Sequence, residues 1–274
     1  MNIQLISNEK IAETSSKGNQ EKWFDRETDK WYKLDQFGYE GLSESIISKL
    51  LENSNIEIDT PFSFVRYFPE RLIVHGHERT GCSSKNFLKE EEALITLNHL
   101  LSKILGSPLK DKLTSLPSDK KRIEYIVDAT KEFTGLDCFG QYLCLLFEID
   151  SLFLNDDRHL NNIAVLEEKG KYKYCPIFDN GAGLLSDTQM SPMDIEPKAL
   201  ISKIKARPFL TSFTRQMNTA RTLYGKQLSL PSFSKKHIEN ELSNLLEYYP
   251  QRDRNIICRR VTECILIRQK SGKF

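Results

Sequence analysis

The sequence predicts an α+β chain in two unequal parts: a small antiparallel sheet with one helix over residues 1–85, then a larger, mainly helical part over 86–274. Three observations predict it. Short aromatic and β-branched runs separated by polar turns crowd the chain before residue 75. From Glu90 onward the apolar positions fall at the 3.6-residue spacing of helices. A single hairpin signal interrupts that helical part, two apolar runs flanking Gly170. With 274 residues, 39% hydrophobic and 28% charged, the composition is that of a globular protein with room for a sizeable core. Lys+Arg 39 against Asp+Glu 38 leaves a formal charge of +1, so nothing global pulls the chain toward nucleic acid or an anionic membrane.

In chain order, Ile3 to Ile6 reads as a strand and Thr14 to Asn19 as a small polar loop. Within that loop Ser15, Ser16, Lys17 and Gly18 either fold over phosphates with their backbone N–H groups or make an ordinary surface turn. Lys22-Trp23-Phe24 and Trp31-Tyr32-Lys33-Leu34 read as a hairpin around a charged turn. After Gly38 and Gly41, apolar positions 42, 46, 47, 50 and 51 predict an amphipathic helix with Glu44 in its first turns. Phe62 to Tyr67 and Arg71 to His75 read as further strands, and the chain leaves the sheet from Gly81 to Leu88. His75 and His77 straddle Gly76 without further ligands at zinc spacing, so they read as a strand end.

In the second part, Leu94, Leu97, Leu100, Leu101, Ile104 and Leu105 form one helical face ended by Gly106. A loop with Pro108 and Pro117 precedes a helix from Ser118 to Phe133, stopped by Gly135. The next helix, with Phe139, Tyr142, Leu143, Leu146, Phe147, Ile149 and Leu152, is the most apolar of the chain and the expected buried centre of its larger part. Further helices are expected near 197–206, 209–223, 234–248 and 253–269. Six cysteines show no CxxC pair and read as small buried hydrophobes in a reducing compartment. The first residues lack an apolar signal core, and no run of about 18 apolar residues occurs. That places folding in the cytoplasm and leaves open non-classical secretion as an effector.

The chemistry concentrates in Asn155 to Leu185. Pairing Ile163–Leu166 with Tyr172–Ile177 sets residue 163 near residue 175. Asp157 and Asn162 precede one strand and Asp179 follows its partner, so three oxygen-bearing side chains converge at one end of a hairpin. Such a set suits a hard cation that completes its shell with phosphate oxygens and water. A further carboxylate there can orient or deprotonate a hydroxyl. Asn, Asp and Gly also gather in ordinary turns, and it is their presence at both ends of one hairpin that favours phosphoryl transfer. The following segment, Asn180 to Pro197, is polar and carries the hydroxyls Ser186, Thr188 and Ser191.

Asp157-Arg158-His159 followed by Asn162, then Ile177-Phe178-Asp179-Asn180-Gly181, resembles the catalytic and metal-binding segments of the HipA-like kinases. The similarity is strongest to their compact CtkA-type relatives and more distant to the phosphatidylinositol kinases. The resemblance implies a bilobal protein-kinase-like fold, with residues 1–85 as the nucleotide-covering lobe and 86–274 as the catalytic lobe. It implies ATP and Mg²⁺ as cofactors, Asp157 as the catalytic aspartate, and Asn162 and Asp179 as Mg²⁺ ligands. It makes Lys33 and Glu44 an ion pair that sets the lysine on the α- and β-phosphates. The implied reaction is transfer of the ATP γ-phosphate to a serine or threonine hydroxyl of protein, with autophosphorylation on Asn180 to Pro197 as a corollary. An antitoxin-like or regulatory protein is the implied partner beside the protein substrate. Asn161 stands where many HipA-type toxins carry a lysine. Two rivals are a phosphoinositide-type lipid kinase, which calls for a basic membrane-facing surface, and a nucleotide-binding pseudokinase, which has no need of Asp157.

Overall fold

The computed structural model describes residues 3–6, 21–272 and 274. Five strands form the first sheet: β1 (Ile3–Ile6), β2 (Lys22–Asp25), β3 (Lys30–Leu34), β4 (Tyr67–Val74) and β5 (His77–Lys85). Their order is β1-β4-β5-β3-β2, antiparallel throughout except for the parallel pairing of β1 with β4. One face buries Trp23, Tyr32, Leu34, Leu72 and Val74. Against the opposite face lies α1 (Glu40–Leu51), all of it buried except Lys49. Glycine permits that approach. A Cβ on Gly41 would lie 2.6 Å from the Gly81 carbonyl carbon.

At two places the sheet differs from the sequence expectation. Phe62 to Tyr67 is not a strand but a tether, joined to the later hairpin by Val65 N–H donating to the Ile177 carbonyl at 2.9 Å and Ile177 N–H to that of Ser63 at 2.8 Å. The strand starts at Tyr67, after the short helix α2 (Ile56–Asp59) and this tether. Nor does the chain leave the sheet at Gly81: residues 81–84 pair with β3 on one side and β4 on the other, and Lys85 still pairs with β3.

The rest is helical around one three-stranded sheet, β6 (Ala93–Thr96), β7 (Ala164–Glu168) and β8 (Lys171–Tyr174), in the order β6-β7-β8. Leu94 therefore belongs to a strand and not to the expected helix, because residues 93–96 pair with β7 before α3 (Leu97–Leu105) begins at its Thr96 cap. Between the two prolines, where a loop is expected, lies α4 (Leu109–Ser115). α5 (Asp119–Thr134) is capped by the Ser118 side chain and ended by left-handed Gly135. α6 (Phe139–Phe153) buries every residue except Gln141 and forms the centre of the main core. α7 (Pro197–Ile201), α8 (Phe213–Tyr224), α9 (Lys235–Leu246) and α10 (Gln251–Gly272) complete the chain. All six cysteines are free, and Cys82, Cys144, Cys175 and Cys264 are buried.

The β7–β8 register differs by one residue from the expected pairing. Val165 faces Tyr174 and Glu168 faces Lys171, which extrapolates Ile163 toward Pro176 instead of Cys175. The cause is the turn, where Lys169 and Gly170 both take positive φ, 52° and 79°, in the two-residue geometry that matches strand twist.

Candidate active site

Lys33 is the hub. From the middle of the sheet its Nζ reaches Glu44 Oε1 of α1 at 2.5 Å and Asp179 Oδ1, beyond β8, at 2.6 Å. The second oxygen of Glu44 accepts the backbone N–H of Asn180 at 2.8 Å, so the glutamate ties α1 to the chain just past Asp179. Below Lys33 lies the Tyr67 ring, 5.0 Å from Nζ to its centre, and the Tyr67 hydroxyl accepts the Asp179 N–H at 3.3 Å. Burial by itself would push the Lys33 ammonium down, yet the carboxylates of Asp179 and Glu44 raise it well above the usual lysine value. Burial would likewise raise Asp179, but Lys33 and then Lys22 hold its carboxyl far below the ordinary range. Both groups are therefore charged at neutral pH.

Lys22 was not among the residues expected from the sequence. It pairs with Lys33 across β2 and β3, and directly opposed residues of an antiparallel pair share a face. Burial lowers its ammonium, with Asp179 pulling it back up and Lys33 pushing it down, which places Lys22 in the same electrostatic cluster. The signal available was the hairpin register itself, which puts positions 22 and 33 side by side.

Beneath this roof the two ends of the β7–β8 hairpin are fastened together by Arg158, which is fully buried. Its Nε and Nη2 meet the Asp150 carboxylate at 3.0–3.2 Å, Nη1 donates to the Phe178 carbonyl at 2.6 Å and to that of Asn162 at 3.3 Å, and Nη2 donates to Asn180 Oδ1 at 2.6 Å. One guanidinium thus spans the segments that carry Asn162 and Asp179. Asn155 adds a second strap, its amide donating to Asp150 Oδ1 and to the Asp179 carbonyl, both at 3.2 Å. Asp150 is the anchor, and the clue to it was an acid inside the most apolar helix, a position that demands a buried cationic partner. Burial raises its carboxyl to about 6, against the pull of Arg158.

Asp157 faces outward, its side chain 48% exposed, with His159 Nε2 at 3.7 Å and Arg207 Nε at 3.9 Å. Burial raises its carboxyl above the ordinary aspartate value, and His159 and Arg207 offset part of that rise. The Asn162 amide nitrogen donates to the Asp157 carbonyl at 2.9 Å, which turns the amide oxygen to the other side. The Asp179 carboxylate and the Asn162 amide oxygen are oxygen donors, the kind Mg²⁺ takes, so these residue types fit that ion. Of the expected site residues, Lys33, Glu44 and Asp179 meet by direct contact, Arg158 ties the Asn162 segment to the one that leads into Asp179, and Asn162 bonds the Asp157 carbonyl while the Asp157 carboxylate points outward. Ser15, Ser16, Lys17 and Gly18 lie outside the described residues.

The polar segment from Asn180 to Pro197 is closely held in places: Ser186 is fully buried, Ser191 is buried, and the Thr188 hydroxyl donates to the Phe37 carbonyl at 2.7 Å. Among the described residues, no helix is long and apolar enough to cross a membrane.

A lysine clasped between a helix carboxylate and the aspartate beyond a hairpin, under a small sheet and over a larger helical part, defines a bilobal kinase-like fold. The comparisons with solved structures agree. A proinflammatory kinase of Helicobacter pylori, CtkA, superposes with a TM-score of 0.59 over 93% of this chain and 89% of its own, at 13% identity. A chain from the Shewanella oneidensis MR-1 complex of HipA, HipB and operator DNA gives a TM-score of 0.51 at 12% identity, covering 94% of this chain and 65% of that one. No protein-family model and no curated protein sequence matches the chain.

Proposed function

We propose that the chain is an ATP- and Mg²⁺-dependent phosphotransferase, a HipA-like Ser/Thr protein kinase whose lobes comprise residues 1–85 and 86–274. One observation carries this reading: Lys33 in direct contact with both Glu44 and Asp179. A strand lysine held by a helix glutamate beside a metal-binding aspartate is the set of parts that positions ATP phosphates in protein kinases. Lys33, with Lys22 beside it, binds the inner phosphates, and Glu44 keeps Lys33 aimed at them. Asp179 and Asn162 would hold Mg²⁺, which would supply positive charge to the phosphate oxygens during γ-phosphoryl transfer. Asp157 orients the acceptor hydroxyl and takes its proton as the new P–O bond forms and the bond to ADP breaks. Its half-exposed carboxyl faces an incoming chain, and its raised proton affinity suits it to that task. A protein substrate, a regulatory partner of the HipB kind and action in a reducing cytoplasm complete the proposal, the last supported by the free cysteines.

Replacing the base separates this reading from simple nucleotide binding. Asp157→Ala should slow phosphoryl transfer by roughly 10²–10⁴-fold while changing unfolding stability by no more than about 0.5 kcal/mol. The thermal shift produced by ATP with Mg²⁺ should persist. Equal transfer rates in the variant and the wild type would remove Asp157 from the mechanism.

A further inference from the structure

The segment 180–196 contains no helix and no strand, yet it is bonded along its length from two sides. From the α1 side, the Tyr39 hydroxyl lies 2.7 Å from the Leu184 carbonyl and 3.0 Å from that of Leu185, and Tyr39 N–H donates to the Ser186 carbonyl at 3.2 Å. Thr188 donates both its N–H and its hydroxyl to the Phe37 carbonyl, at 3.2 and 2.7 Å. Gly38 lets the two strips lie flat together, since a Cβ there would stand 2.0 Å from the Ser186 carbonyl oxygen. From the other side, the buried guanidinium of Arg260 on α10 donates to the carbonyls of Ser191 at 2.6 Å, Pro192 at 2.5 Å and Ile195 at 3.0 Å.

Kinases switched by phosphorylation of this segment use the new phosphate to recruit arginines, and the segment orders only then. Here Arg158 and Arg260 are already engaged. Arg158 has Nε, Nη1 and Nη2 all bonded to Asp150, Phe178, Asn162 and Asn180, and both Nη groups of Arg260 are bonded to the segment's own carbonyls. Two of the three hydroxyls that would take the phosphate are turned inward, Ser186 donating to the Gly181 carbonyl at 2.5 Å and Thr188 to Phe37, and Ser191 is buried. We propose that Tyr39 and Arg260 are positioning residues that order segment 180–196 from within, so that Lys33, Glu44 and Asp179 come together on folding, without a phosphate on the segment. The kinetic part of this inference rests on the phosphotransferase reading; the structural part does not.

The test compares Tyr39→Phe, Arg260→Gln and Arg260→Lys with the wild type by hydrogen–deuterium exchange, using the amides of α6 as the internal standard of folding. Phosphoryl transfer from ATP with Mg²⁺ to dephosphorylated casein, and ATP hydrolysis, are measured beside it. Exchange over residues 184–196 should quicken by about tenfold or more in Tyr39→Phe and Arg260→Gln, with α6 unchanged and part of the protection regained in Arg260→Lys. The same two variants should lose about tenfold or more in kcat, with a smaller change in KM for ATP. Wild-type protein incubated with ATP should carry no phosphate on residues 180–197. Unchanged exchange in the folded variants, or a phosphate on Ser186, Thr188 or Ser191 that the protection requires, overturns the proposal. Should Arg260→Gln fail to fold, Tyr39→Phe decides alone, because it removes a single oxygen. Quickened exchange in the variants of a wild type that neither transfers phosphate nor hydrolyses ATP upholds the internal ordering and overturns the kinase reading.

Discussion

Lys33 and Lys173 are each held by two carboxylates, and their surroundings make them different objects. Lys33 meets Glu44 at 2.5 Å and Asp179 at 2.6 Å with its side chain only 10% exposed; Lys173 meets Glu168 at 2.5 Å and Glu92 at 2.8 Å with 44% exposed. Both ammonium groups are raised, Lys33 well above its ordinary value by the two neighbouring carboxylates against the cost of burial, and Lys173 to about 12 by hydrogen bonds to Glu168 and Glu92. Around Lys173, water can replace whatever a mutation removes. Around Lys33 it cannot, so the same pairing chemistry becomes a requirement of the fold. The partners also differ in reach. Glu92 and Glu168 flank one small sheet, whereas Glu44 and Asp179 lie 11 and 146 residues from Lys33.

The largest effect should come from removing the buried cation. Lys33→Met leaves Glu44 and Asp179 facing each other without the ammonium that bonds both, at a cost of roughly 3–5 kcal/mol, and should abolish phosphoryl transfer. Urea unfolding and a transfer assay on the same preparation check both. A stability loss well below that range would mean water reaches the site.

Glu40 extends the comparison to a buried acid served by backbone instead of by a cation. Its two oxygens accept the N–H groups of Phe37 and Gly38 at 2.7 and 3.0 Å, while burial and then Asp35 raise its carboxyl to about 7. A raised acid binds its proton more tightly folded than unfolded. Its stabilising contribution is therefore full below about 4.5, the unfolded value, and is lost as pH rises through 7. Unfolding free energy should fall between pH 5 and 8, and Glu40→Gln should flatten that slope; an identical slope in the variant would remove Glu40 as the cause. Asp179 acts with the opposite sign, its contribution present above the ordinary carboxylate range and lost only in strong acid, as pH falls through its depressed value.

The smallest effect belongs to the exposed counterpart. Lys173→Ala should leave the urea midpoint and the transfer rate unchanged within error, and more firmly so at high salt. A clear loss would show that exposure is the wrong distinction between the two lysines.

Much of this is legible in the sequence. The β2–β3 hairpin, the helix bearing Glu44, the Ser118 and Gly135 stops and the buried helix before Asn155 all follow from alternation, 3.6-residue periodicity and capping. These depend on residues within a turn or two of one another. The errors lie where a partner was distant: residues 93–96 became a strand because β7 lies beside them, and 62–67 became a tether because Ile177 does. Arg158 was read in the Asp-Arg-His triplet, but nothing in the triplet says that its guanidinium turns inward to Asp150.

By itself, then, the sequence determined the kind of each well-patterned element and the identities of the groups that carry the candidate site. Their approach was decided by tertiary structure, which set the hairpin register, buried Lys33 between two acids, aligned Lys22 beside it and tied segment 180–196 to Tyr39 and Arg260. The physical reason is the cost of burying charge. Periodicity reveals which residues leave water, but a lysine, an arginine or an aspartate leaves it only with a partner in place. Those partners come from chain segments that only the folded structure brings together.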